Sequence, residues 1–151
     1  MSSITVRQAV LSDLDVLAPL FDEYRQFQGC SSDLAAARAF LLERFNHNES
    51  VLFIAYEGES PVGFTQLYPM FSSVSLARVF VLNDLLVREC ARGEGVATKL
   101  MESALHYAKS LGAVRVSLVA ANTNTVAQSV YEATGWKRDK QFQAFHFAIK
   151  V

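Results

Sequence analysis

The chain has 151 residues, 51% of them apolar, and a formal net charge of −1. This length and composition predict one globular domain over residues 1–151 with a substantial core. The near-zero charge argues against nonspecific binding to nucleic acid or membranes, and the sequence has neither a signal-like start nor an apolar run near the roughly 20 residues of a membrane span.

The cysteines and histidines give no indication of a metal site. Cys30 and Cys90 lack the spacing of metal ligands, and the three histidines are scattered along the chain. We therefore expect no metal, and two free thiols in a reducing cytoplasm.

The predicted elements alternate between strand and helix. A strand at 4–9 precedes a helix that begins near Ser12, and Pro19 is expected to kink or break that helix. A second helix opens at Ser32-Asp33. The later elements are strands at 51–56, 62–68 and 78–87, a helix at 95–111, a strand at 114–121, a helix at 125–134 and a final strand carrying Phe145, Phe147 and Ile149.

The most informative segment joins the strand that ends at Val87 to the helix that follows it. Arg92, Gly93 and Gly95 lie between them, so a tight glycine turn leads into a helix N-terminus. The first N–H groups of a helix have no intrahelical partner, and the helix dipole adds positive charge there. Glycines allow an anion to approach the backbone. The segment therefore predicts a site for a phosphate-bearing cofactor.

Two common phosphate-binding motifs do not fit. A P-loop needs Lys and Ser/Thr directly after the glycine, whereas Gly95 is followed by Val96 and Ala97. A dinucleotide fingerprint needs a third glycine, where this chain has Thr98, and an acid at the end of the next strand, which ends without one at Asn122.

A third motif fits. The pattern Arg92-x-x-Gly95-x-Ala97 resembles the pyrophosphate loop of the GNAT superfamily of N-acetyltransferases. A second segment resembles that superfamily's other cofactor motif, with Asn124, Ala127, Tyr131 and then Gly135-Trp136. The resemblance covers nearly the whole chain. It implies a mixed α/β fold with a central sheet of about 6–7 strands and helices on both faces.

Within the superfamily, residues 81–87 resemble the diamine and polyamine acetyltransferases and related amino-acid or histone acetyltransferases. Those enzymes carry Leu-Glu-Asp-aromatic-aromatic-Val there, whereas this chain has Asn83 in place of the glutamate. The resemblance implies acetyl-CoA as acyl donor. The residues implied to bind it are the strand residues Leu85, Leu86 and Val87, the loop residues Arg92, Gly93, Glu94, Gly95, Val96, Ala97 and Thr98, and Asn124 and Ala127.

The resemblance also implies the catalytic groups. Tyr131 is expected to protonate the leaving thiolate, because a phenol with a reference pKa of about 10 carries its proton at neutral pH. Asp84 is the nearest carboxylate for the role of general base, since Asn83 cannot serve as one. A buried structural role for Asp84, or a water chain without one essential base, remains open.

The acceptor is less well defined. Acidic residues in 21–60 would form a rim that favours a cationic amine, or would simply be solvated helix faces. Tyr24, Phe27, Tyr68 and Asn83 are the predicted acceptor-side residues.

Two classes of function follow from these residues. The first is an acetyl-CoA-dependent N-acetyltransferase that acetylates a primary amine of a small cationic molecule by direct attack in a ternary complex. The second is a non-catalytic acyl-CoA-binding module. Within the first class, an acetyltransferase for a protein tail is an alternative. We expect a homodimer, because an apolar final strand would need cover.

Overall fold

The computed structural model describes residues 3–150 and divides into two units at Leu118. The first unit contains a five-stranded sheet, three α-helices and two short 3₁₀ turns, Leu11–Asp13 and Glu89–Ala91. Its elements are β1 (Ile4–Gln8), α1 (Leu14–Phe27), α2 (Leu34–His47), β2 (Val51–Glu57), β3 (Ser60–Ser72), β4 (Ala77–Val87), α3 (Val96–Ser110) and β5 (Arg115–Ser117). The second unit contains α4 (Thr125–Ala133).

The sheet is mixed and follows chain order, β1-β2-β3-β4-β5. The first four strands are antiparallel neighbours, and β5 runs parallel to β4. β5 is short and pairs only with Val79, Phe80 and Val81. The predicted mixed α/β class is confirmed, although the strand count is lower than predicted.

Helices cover both faces of the sheet in the first unit. On one face, the apolar sides of α1 and α2 pack on β2, β3 and β4 through a core that includes Leu17, Leu41, Ile54, Phe64 and Leu86. On the other face, Tyr107 of α3 contacts the rings of Phe53 and Phe80. Alternation of side chains along each strand explains this division, because neighbouring residues point to opposite faces.

The N-termini of the first two helices form differently. Asp33 begins α2 as predicted, with its carboxylate accepting a hydrogen bond from the Ala36 N–H. The structure adds two details to the prediction for α1, in which Pro19 was expected to kink or break the helix. A 3₁₀ turn precedes the helix, which begins at Leu14, and the helix continues through Pro19. Proline forfeits one hydrogen bond, and the buried apolar face of α1 outweighs that loss.

The predicted final strand is absent from the described residues. Phe145 and Phe147 are 90% and 91% exposed, and the segment around them has no strand assignment. Alternation of apolar residues indicates which side chains would share a face, but a strand also needs a hydrogen-bonded neighbour. The strand predicted at 114–121 is likewise reduced to Arg115–Ser117.

No helix among residues 3–150 combines the length and apolar character needed to cross a membrane.

Candidate functional site

The loop between β4 and α3 has the conformation expected of an anion site. Gly93 and Gly95 adopt left-handed φ angles of 84° and 77°, which residues with a Cβ rarely adopt. Gly95 is the N-cap of α3, and no side chain caps this helix. The first N–H groups of α3 therefore remain available to an anion at the end of the turn.

β4 presents backbone groups along its outer edge next to this loop. The Arg88 N–H donates to the Val62 carbonyl oxygen at 2.7 Å. Hydrogen bonding alternates along an antiparallel ladder, so Leu86 also directs its peptide groups toward β3, whereas Leu85 and Val87 direct theirs to the opposite edge. Consistent with this, the Arg92 Nε donates to the outward Val87 carbonyl oxygen at 3.3 Å.

Gly63 brings α3 close to the end of β4. A Cβ at this position would lie 2.5 Å from the Leu86 carbonyl oxygen and 3.4 Å from side-chain atoms of Val96 and Leu100. Sequence reasoning missed Gly63, although a glycine inside a strand is a known signal of close backbone approach.

Predicted residues from both the donor side and the acceptor side of the first unit line one cleft of about 240 Å³, although Tyr68, Asn83 and Asp84 are not among them. Its wall is formed by aromatic side chains of α1, together with residues at the end of β4 and at the start of α3. The Arg92 guanidinium lies 5.3 Å from the Phe27 ring centre. The residues lining the cleft are Tyr24, Phe27, Gln28, Leu85, Leu86, Val87, Arg92 and Ala97.

A larger groove of about 410 Å³ lies elsewhere in the first unit, between β1, β2 and α3. None of the predicted site residues lines it. Its arginine, Arg7, is held by Asp13 in a two-bond ion pair. We therefore assign the functional site to the smaller cleft, which has the glycine turn, the helix N-terminus and the open strand edge.

A β-bulge determines how Asp84 is placed. The register of β3 and β4 shifts between Gln66 and Leu67, so that Gln66 pairs with Asp84, Leu67 pairs with Leu82, and Asn83 is the extra residue. Bulges commonly redirect side chains beside active sites.

The bulge places a buried carboxylate among amide donors. Asp84 is 2% exposed, and the fully buried Gln66 donates from Nε2 to Asp84 Oδ2 in a short hydrogen bond. Asn83 Nδ2 donates to Asp84 Oδ1 at 2.8 Å. From α1, the Tyr24 hydroxyl donates to the Asn83 carbonyl oxygen at 3.2 Å.

Burial raises the pKa of Asp84, while hydrogen bonds from Asn83, Gln66 and Tyr24 partly oppose the rise. Burial also raises the pKa of Tyr68 to about 12, and the nearby Asp84 carboxylate adds to this effect. Tyr68 thus lies close enough to Asp84 to sense its charge. The structure brings Asp84 together with three of the predicted acceptor-side residues, namely Tyr24, Tyr68 and Asn83.

The acidic residues at 21–60 are largely engaged within the protein. Asp22 is buried and accepts from the Ser32 hydroxyl and the Asp33 N–H, which holds the loop between α1 and α2. Glu23 forms an ion pair with Arg88 at 2.6 Å. Asp33 caps α2, and Glu43 and Glu49 pair with Arg44. These contacts support the interpretation of the acids as structural groups.

Glu94 in the glycine loop lies beside Glu57 of β2, and the contact between the two carboxyls raises the pKa of Glu94. Val96 is buried against Gly63, whereas Ala97 and Thr98, which follow it in the first turn of α3, are partly buried. Sequence reasoning also missed Arg88, which joins the end of β4 to α1 through Glu23 and donates to the Pro61 carbonyl oxygen at 3.0 Å.

The remaining predicted residues belong to the second unit. Asn124 caps α4, with its side-chain oxygen accepting from the Ala127 N–H at 3.2 Å. Tyr131 lies on α4 with its ring centre 6.3 Å from that of Trp136, and the Trp136 N–H donates to the Tyr131 carbonyl oxygen. Burial raises the pKa of Tyr131. The cap is thus a role that Asn124 fulfils without any ligand.

Comparison with known proteins identifies the class to which this fold and site belong. The profile of the acetyltransferase (GNAT) family matches residues 17–136. The chain is 43% identical over 148 residues to the uncharacterised N-acetyltransferase YhfO of Bacillus subtilis, covering 98% of each chain. It is 31% identical to a probable acetyltransferase of Haemophilus influenzae, covering 91% of this chain and 92% of that protein.

A solved structure described as a probable acetyltransferase superposes with a TM-score of 0.91 at 42% identity, covering 97% of this chain and 99% of that one. The chain therefore belongs to the GNAT family of acetyltransferases, and it is an N-acetyltransferase.

Proposed function

We propose that this protein transfers an acetyl group from acetyl-CoA to the primary amine of a small cationic molecule, by direct attack in a ternary complex. The observation that carries the proposal is the cleft in which the end of β4 and the start of α3 meet the aromatic residues of α1. Backbone donors for the cofactor and a wall for an acceptor thus lie together.

The donor side fits an acyl-CoA. The outward peptide groups of Leu85 and Val87 would bind the pantetheine arm as a neighbouring strand does. The pyrophosphate would lie against the loop from Arg92 to Ala97 and the first turn of α3, which extends to Thr98. When bound, acetyl-CoA supplies the thioester carbonyl. An N–H on the outer edge of β4 would donate a hydrogen bond to that carbonyl oxygen as negative charge develops there.

Asp84 would accept the proton that the amine loses as its nitrogen attacks the thioester carbonyl. A base is most effective when its pKa approaches the working pH, and burial moves the pKa of Asp84 in that direction. Tyr131 would donate a proton to the sulfur as the carbon–sulfur bond breaks. Its phenol carries a proton at neutral pH, and burial raises the phenol pKa further. Asn124 and Ala127 are proposed to contact the cofactor arm.

The preference for a cationic amine rests on Asp84 and the aromatic side chains. Most of the acidic rim is already paired, so it contributes little free charge to the cleft. Tyr24 and Phe27 offer aromatic faces that favour an alkylammonium group, and we propose them, with Tyr68 and Asn83, as acceptor-side residues. The alternatives predicted from the sequence are a non-catalytic acyl-CoA-binding module, against which the similarity to N-acetyltransferases argues, and an acetyltransferase for a protein tail.

The family match spans residues 17–136 and so extends across both units, which supports one N-acetyltransferase domain. Exposed apolar residues in the C-terminal segment, among them Phe145 and Phe147, support a homodimer. The two exposed free thiols, Cys30 and Cys90, are in keeping with a reducing cytoplasm.

The test is release of CoA thiol from acetyl-CoA across polyamines, free amino acids, aminoglycosides and a lysine-rich peptide. We expect release that depends on a small cationic acceptor, and a loss of about 10²–10⁴-fold in kcat for Asp84→Asn. Asp15→Asn is the matched control, because Asp15 is an exposed acid that pairs with Arg38. Preference for the peptide would favour the protein-tail alternative. Tight acetyl-CoA binding without release for any acceptor would favour the binding module.

A further inference from the structure

Gln66 is fully buried on β3, and its amide is used asymmetrically. Its Nε2 donates to Asp84 Oδ2, while its Oε1 has no hydrogen-bond partner among the described residues. An unpaired buried acceptor is costly, and most such groups in folded proteins find a partner. The fold therefore tolerates an orphaned oxygen at a position where the nitrogen contacts the proposed base.

The direction of this amide fits an ionised Asp84. Rotating the amide by half a turn would bring Oε1 against a carboxylate oxygen, so that two acceptors would face each other. A protonated Asp84 would instead favour the rotated amide, because the acid proton would then have Oε1 as its acceptor. Asn83 donates to the other carboxylate oxygen, so both oxygens of Asp84 face an amide N–H.

We propose that Gln66 is a positioning residue that holds Asp84 ionised and oriented toward Tyr24 on the acceptor side of the site. This role rests on the proposed function, in which Asp84 is the general base. Gln66 has no exposed surface, so it acts through Asp84 rather than by touching the acceptor.

Other groups around Asp84 are distinguishable in a titration. Tyr24 of α1 donates a hydrogen bond that lowers the pKa of Asp84, and Tyr68 of β3 lies close enough to Asp84 to sense its charge. Arg44 of α2 is close enough to lower the pKa of Tyr68. Burial nevertheless raises the pKa of Tyr68 to about 12, far above the range of a carboxyl group. Titration of Asp84 is therefore separable from titration of Tyr68.

The experiment compares Gln66→Met with Thr65→Val. Methionine retains the length of glutamine but has no N–H, so it removes the donor to the carboxylate. Thr65 is equally buried, and its hydroxyl donates at 2.8 Å to the backbone carbonyl oxygen of the same Asp84, so Thr65→Val controls for loss of a buried hydrogen bond. Asp84 is followed through its side-chain carboxyl carbon by NMR without any substrate, alongside the pH dependence of kcat/KM.

We expect the Asp84 titration midpoint to move upward by about one to two pH units in Gln66→Met, because a donor to a charged group is lost. The acid limb of the pH–rate profile should move with it, while KM for acetyl-CoA stays unchanged. In Thr65→Val, neither the Asp84 titration midpoint nor the acid limb of the pH–rate profile should move. Equal midpoints in Gln66→Met and the wild type would overturn the proposal.

A measurement on the wild type guards against misfolding of the Gln66 variant. The side-chain amide resonances of Gln66 should titrate with the same midpoint as the Asp84 carboxyl, and an amide that does not respond would also overturn the proposal. If Asp84→Asn retains full activity, Asp84 is not the base, yet the substrate-free titration still decides whether Gln66 controls its charge.

Discussion

The two sides of β4 are built in different ways. On the proposed donor side, the outer edge of β4 at Leu85 and Val87 and the start of α3 offer backbone N–H and C=O groups, with two left-handed glycines at the turn between them. On the acceptor side, side chains of α1, β3 and β4 converge on the buried Asp84. The comparison shows that a backbone site is a local property of the chain, whereas a side-chain site depends on elements that are distant in sequence.

The free-energy cost of keeping the polar groups in place without a ligand also differs between the two sides. Backbone groups at a strand edge and a helix N-terminus bear partial charges and can be solvated until a ligand binds. A carboxylate at 2% exposure is deprived of water and is stabilised only by its hydrogen-bond donors. The acceptor side should therefore respond strongly to pH and to single side-chain changes, while the donor side should respond mainly to changes in backbone freedom.

A third proposed role, comparable in expected effect to that of Asp84, belongs to Tyr131 of the second unit. Tyr131→Phe should lower kcat by about 10²–10⁴-fold, because it removes the proposed proton donor, and KM for acetyl-CoA should hardly change. Steady-state kinetics with the best acceptor measures both quantities. Tyr107→Phe is the control, since Tyr107 packs its ring on Phe53 and Phe80 in the core. Wild-type kcat in Tyr131→Phe would remove Tyr131 from the mechanism.

The donor side is tested by Gly95→Ala. An alanine at φ 77° is strained, so we expect a loss of about 1–2 kcal/mol in unfolding free energy. We also expect a raised KM for acetyl-CoA, because a Cβ would stand where the anion approaches the backbone.

Gly58→Ala separates the two effects of Gly95→Ala. Gly58 has φ 60° in the β2–β3 turn, and as at Gly95 no atom lies within 4 Å of an added Cβ. This control should lose similar stability while keeping the wild-type KM. A KM raised equally in both variants would mean that backbone strain, and not cofactor approach, causes the change.

The smallest expected effect concerns the stability cost of Asp84. We expect Asp84→Asn to raise the unfolding free energy at pH 7 by about 1 kcal/mol, because a neutral amide is less costly to bury and offers Gln66 Oε1 a donor. Burial raises the pKa of Asp84 in the folded protein relative to the unfolded chain. The wild type is therefore less stable at a pH above the folded-state pKa than at a pH below the unfolded-state pKa.

The advantage of Asp84→Asn should therefore shrink as the pH falls toward 4, the ordinary range of an aspartate. Urea unfolding at several pH values measures this difference. A variant that is less stable than the wild type at neutral pH would show that the hydrogen bonds to the carboxylate outweigh its desolvation.

The acidic residues near the N-terminus illustrate what a charge pattern omits. The sequence left open whether acids such as Asp22, Glu23 and Glu43 form an acidic rim or solvated helix faces, and each of these three has a partner in the structure. Arg88 reaches Glu23 from the end of β4, whereas Arg44 is the neighbour of Glu43 in α2. Composition counts charges, while pairing depends on which elements pack together.

The sequence by itself determined the family, the class of fold, the order of most elements and the glycine loop at the start of α3. These features depend on contacts between neighbouring residues, on turn chemistry and on periodicity, which are all present in a linear chain. The tertiary structure alone decided the β-bulge at Asn83, the pairing of Gln66 with Asp84, the close approach at Gly63 and the shortness of β5. Each of these depends on the register between strands or on the presence of a neighbouring strand, and register is a property of the assembled sheet.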